Sequence, residues 1–138
     1  MADGPESALQ KGLIAALKAD AGVASQVGAR VHDTPPQRVT FPYVRLGKFD
    51  GAPWDTDATV GDELIFTIEA HCRPDRRGTV HARRLKEAIK GVLHRGEERV
   101  SVTGFVLVEL IFLTSTTEEL SDGKSQVARL AFRARLDV

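Results

Sequence analysis

Residues 126–138 alternate with a period of two: Ala128, Leu130, Phe132, Ala134 and Leu136 fall on one side, and Arg129, Arg133 and Arg135 on the other. A helix would scatter both sets around its circumference, so this stretch reads as a strand with one buried and one polar face. Residues 63–72 repeat the pattern. Leu64, Phe66, Ile68, Ala70 and Cys72 share one face, while Glu63, Thr67, Glu69 and His71 share the other with Ile65. Two such strands call for a sheet that is covered by other elements on its apolar face.

Helical spacing supplies the cover. Leu9, Leu13, Ala16 and Leu17 form one stripe, Ser7 and Gln10 have the spacing of a capping box, and the helix should end near Asp20 to Gly22. Gly12 costs this helix roughly 1 kcal/mol relative to alanine, so its stability should depend on docking. Residues 24–27 add a short turn. A second helix, opened by Thr79, carries Val80, Leu85, Ile89 and Leu93 inward and stops at Gly96. Pro74, Asp75 and Gly78 form the turn before it.

Residues 30–32 predict a short strand, and Pro42 leads into an extended run over 43–49. Residues 50–62 read as a polar loop with Asp50, Asp55, Asp57 and Asp62 around Trp54. Residues 105–113 are apolar except for Glu109, which predicts a strand covered on both faces, by the fold or by a partner. Residues 118–124 form a polar hairpin connection with Asp122 and Gly123 at its tip. The expected fold is one α+β domain over residues 1–138, with a mixed or antiparallel sheet packed against two main helices. Its length suits a single core.

Charge narrows the function. Nineteen Lys and Arg balance nineteen Asp and Glu, so no cationic excess exists to drive tight binding along a nucleic acid. The single cysteine, Cys72, has no internal disulfide partner. No apolar run approaches the ~20 residues of a membrane span, and the first residues lack a signal-peptide pattern, so we expect cytoplasmic synthesis without membrane insertion.

No catalytic, cofactor or metal constellation is legible. His71 and Cys72 are neighbours on a strand and point to opposite faces, and His81 and His94 are too far apart on their helix to act together. No serine lies in a Gly-x-Ser-x-Gly elbow, no glycine-rich phosphate loop occurs, and the aspartates of residues 50–62 lack the ligand series of a calcium loop. The candidate interface residues are Trp54, Asp55 and Asp57 on one loop, Glu118 and Glu119 at the hairpin, and the stripe Arg129, Arg133 and Arg135. A loop tryptophan suits a binding hot spot, or a lid folded onto the core. The arginines suit cross-strand glutamates, a charged partner or a solvated outer face.

The spacing Leu9-x3-Leu13-x3-Leu17-x2-Asp20, then Val27-Gly28-x-Arg30-Val31-x-Asp33, then Pro36 and Phe41-Pro42-Tyr43-Val44-x-Leu46-Gly47, resembles the tail-completion, or tail terminator, proteins of long-tailed phages and gene transfer agents. Trp54, the strand reaching Cys72 and the helix from Thr79 to Leu93 continue the likeness. The resemblance implies a ring-forming structural subunit without catalytic residues or cofactors. It would form a six-membered ring on the head-proximal end of a tail tube, at the head-tail junction of the particle. Its partners would be itself, the tail tube protein and the head connector or neck protein, with DNA passing through unbound and no membrane. The alternatives are a head-completion or other neck ring component, or a small-ligand-binding α+β domain.

Overall fold

The computed structural model describes residues 3–55, 60–73 and 79–138. Asp57 and the turn at Pro74, Asp75 and Gly78 lie outside the described residues. Eight elements follow in chain order: α1 (Pro5–Ala19), α2 (Ala21–Val27), β1 (Val31–His32), β2 (Tyr43–Pro53), β3 (Gly61–Cys72), α3 (Val80–Leu93), β4 (Val106–Glu119) and β5 (Gln126–Asp137). The strands form one sheet in the order β1-β2-β3-β5-β4. Only the β1–β2 pair is parallel, so the sheet is mixed.

The apolar faces of β3 and β5 are paired residue by residue, Phe66 opposite Phe132 and Ile68 opposite Leu130. They join the buried sides of all three helices in one core. The helices therefore cover a single sheet face. Three aromatic rings cross its centre, Phe49 stacked on Phe66 at 5.2 Å and Phe66 on Phe132 at 5.5 Å.

Several local expectations change. The first helix starts at Pro5 behind Gly4 with no side-chain cap, so Ser7 lies inside the first turn and the capping box with Gln10 is not the start signal. Proline's fixed φ and missing N–H suit that first position. Asp20 ends α1 and caps α2, accepting from the Val23 N–H at 2.9 Å. The short turn thus becomes a third helix. In α3 the inward face is Ala82, Leu85, Ile89, Val92 and Leu93, while Val80, at the first turn, is 54% exposed.

The largest correction concerns β4. It is an edge strand, and its apolar run is not covered on both faces by the fold: Val106, Val108 and Leu113 are exposed. Register shifts between Leu107 and Glu109 and between Phe112 and Thr114 place Val108 and Leu113 out of alternation. Bulges of this kind break the period of two, so the run mimics a doubly buried strand. β4 also continues to Glu119, which puts Glu118 and Glu119 on the strand rather than in the connection. Likewise β2 runs to Pro53 and β3 begins at Gly61, so the loop around Trp54 is shorter than residues 50–62.

Candidate interface surfaces

Among the described residues the sheet face opposite the helices is bare of helix, with side chains buried only at its Tyr43–Val127 end, and the arginine stripe lies on it. Register places Arg135 between Glu63 of β3 and Glu109 of β4, and Arg129 between Glu69 and Thr116. Opposite charges facing each other across neighbouring strands can pair within the sheet. Arg135 Nε donates to Glu63 at 2.9 Å and its Nη1 to Glu109 at 3.0 Å. Arg133 donates to Glu109 at 3.3 Å, and Arg129 bonds Glu118 and lies 3.8 Å from Glu69. The stripe is thus engaged by glutamates of its own chain, although the buried Arg133 Nε has no hydrogen-bond partner. Its bonds to Glu63, followed by Glu109, raise the pKa of Arg135 further.

Trp54 joins this face. Its N–H bonds the Gly61 carbonyl at 2.9 Å, and the Arg135 guanidinium lies 5.0 Å from its ring centre. Trp54 therefore folds onto the polar face, not onto the core. Asp55 closes the same turn by accepting from the Gly61 N–H at 3.3 Å. Replacing Arg135 with alanine should free the indole; because Trp54 is the sole tryptophan, red-shifted emission and easier acrylamide quenching would report it. Unchanged emission would show that the turn alone holds the ring.

At the other end of this face Tyr43 stacks on His71 at 4.8 Å, Phe41 meets Tyr43 edge-on at 5.1 Å, and His71 Nε2 lies 2.8 Å from Glu69. Burial raises the pKa of the Tyr43 hydroxyl. These contacts were not foreseen. Cys72 points the other way into the core, where burial pushes its thiol up to about 11 and leaves it a poor nucleophile. Among the described residues no three His, Cys, Asp or Glu side chains are placed to share a metal ion.

The β4–β5 turn is internally tied. Asp122 accepts from the Ser125 hydroxyl at 2.7 Å, the Ser125 N–H at 2.8 Å and the Lys124 N–H at 2.9 Å. These bonds, the Ser125 hydroxyl first, hold its carboxyl well below the usual range. A depressed carboxylate stabilises the fold above its unfolded pKa, and the contribution is lost only as pH falls through the lower folded value.

The free edge of β4 is interrupted in its middle. Beyond α3 the chain turns at Arg95 (φ 59°), and residues 94–97 lie along the strand. Arg95 N–H donates to the Leu110 carbonyl at 2.8 Å, Glu97 Oε1 accepts from the Leu110 N–H at 3.1 Å, and His94 Nδ1 accepts from the Phe112 N–H at 3.1 Å. This strap stands in for another strand. Glu97→Ala would leave the Leu110 amide unpartnered, which should cost about 1–2 kcal/mol and accelerate its hydrogen exchange. Exchange at wild-type rates would show that the bond carries nothing.

A groove of 430 Å³ lies between the start of α1 and the end of β2, lined by Glu6, Gly51, Pro53 and Asp62 among others. It brings together none of the candidate residues.

The sequence profile of the family described as Tail completion protein gp17 matches residues 11–137. The chain belongs to that family. Membership makes it a structural, non-enzymatic tail completion protein, in line with the α+β core and the surfaces above. This tail completion protein is also similar to a chain of a solved structure described as the virion of a native gene transfer agent particle. The two are 28% identical with a TM-score of 0.86, over 99% of this chain and 100% of that one. Curated protein sequences give no match. Among the described residues no helix is long and apolar enough to cross a membrane.

Proposed function

We propose that this tail completion protein caps the head-proximal end of the tail tube of a phage or gene transfer agent and joins it to the head connector. It acts as a six-membered ring through which DNA passes. The observation that carries the reading is the end-to-end likeness to a chain of a gene transfer agent virion, combined with the family match. It is made in the host cytoplasm and ends at the head-tail junction.

The bare sheet face suits the wall of that passage. Phosphates adhere to proteins through cations whose counterions they displace. Here each arginine of the stripe is already engaged by a glutamate, so the face offers DNA charges that cancel locally. This reading supersedes pairing of the stripe across a subunit boundary. The turn holding Trp54 and Asp55, with neighbouring Asp57, and the β4–β5 connection that follows Glu118 and Glu119 remain the proposed contacts to tube and connector.

The test is tube growth. Tail tubes incubated with the protein and then supplied with fresh tube protein should not lengthen at the capped end. Continued growth at both ends in saturating protein would remove the capping role.

A further inference from the structure

The two edges of the sheet leave different stretches of backbone open. At one edge, β1 covers β2 only at Val44 and Arg45, and among the described residues no further strand lies along 46–53. At the other, the strap bonds β4 at Leu110 and Phe112, and among the described residues no strand lies along 113–119. Open edges of this kind template pairing with another chain unless they are blocked.

Register fixes where the open stretches lie. Thr116 is level with Arg129, Glu69 and Arg45, while Phe112 is level with Phe132, Phe66 and Phe49. The open part of β4 is therefore level with the covered part of β2, and the strapped part of β4 with the open part of β2. Two copies side by side at equal height would set strap and β1 against the edges that should pair. Sliding one copy along the strands by about four residues, ~14 Å at the strand rise, brings open stretch to open stretch and, being an even slip, keeps the faces matched.

We propose that neighbouring copies in the ring join by strand addition, residues 113–119 of β4 against residues 46–53 of β2 in the next copy, with the strap and β1 setting the stagger. The proposal rests on the ring reading and names its interface. Polarity agrees. β2, β3, β5 and β4 alternate in direction, so in copies of equal orientation β4 meets the next β2 antiparallel. The contact joins different patches, which generates a ring when the rotation closes, and a sheet closing on itself requires a stagger. Charge agrees as well: the slide brings Lys48, with a side chain 79% exposed, near Glu118 and Glu119.

Disulfide trapping on tail tubes tests it. Asp50 and Thr116 are exposed on the bare face of opposite edges, three strand spacings apart within one chain, about 14 Å, too far for an internal disulfide. Under oxidation, D50C combined with T114C or T116C should give a ladder of linked copies wherever rings cap tubes. R45C combined with T116C, which reports pairing at equal height, should stay monomeric on denaturing gels. Rings that cap tubes while both D50C pairs remain unlinked, or that link through R45C, would overturn the interface and leave the ring intact. Wild-type protein that forms no ring on tubes would instead sink the ring reading itself.

Discussion

Phe132→Ala should lower the unfolding free energy by about 3–5 kcal/mol, the usual cost of emptying a fully buried phenylalanine site. For a chain of this length that is a fall in Tm of about 10–15 °C. The ring is fully buried, stacked on Phe66 at 5.5 Å and met edge-on by Phe112 at 5.6 Å. It links the central strands to the edge strand β4, whose cover is otherwise thin. Ala131, its neighbour in sequence, points to the bare face, so Ala131→Ser should shift stability by less than about 0.5 kcal/mol. Calorimetric melting of both variants checks the assignment of faces. Equal losses would mean that the alternation does not separate core from surface.

Gly12→Ala should also destabilise, against the preference of an exposed helix for alanine. A Cβ at Gly12 would stand 2.2 Å from the Ser101 carbonyl oxygen and 3.1 Å from its carbon, backbone atoms that cannot swing aside. Forcing atoms into a packed contact costs about 1–3 kcal/mol, more than the ~1 kcal/mol that alanine recovers in helix propensity. Gly91 in α3 is the control. Nothing lies within 4 Å of the Cβ position there, so Gly91→Ala should gain up to about 1 kcal/mol. Urea unfolding midpoints moving in opposite directions at constant slope would bear this out; a gain at both sites would mean that α1 does not sit against Ser101.

Gly12 also marks how far a sequence can be read. Its helical cost was visible from spacing, but the reason for it, a backbone segment about ninety residues away, was not. Strands β3 and β5 were legible because one covered face imposes a strict period of two. β4 is not covered on both faces by its own fold, and two bulges hide the period that would have shown this. The glutamate partners of Arg129, Arg133 and Arg135 depend on register between three strands, which alternation alone does not supply; it allowed cross-strand pairing and an external partner equally. The strap was less visible still. Gly96 signalled only a helix stop, while Glu97 and His94 act on amides of a strand reached later in the chain. Trp54 was singled out for sitting in a loop, but only the sheet shows Arg135 beneath it.

Electron cryomicroscopy of tail tubes incubated with the protein addresses the central claim most directly. The account predicts a ring of six copies at the head-proximal end alone, helices outward and the Arg–Glu face lining the passage. Copies bound along the tube wall, or a ring with the helices facing the lumen, would contradict it.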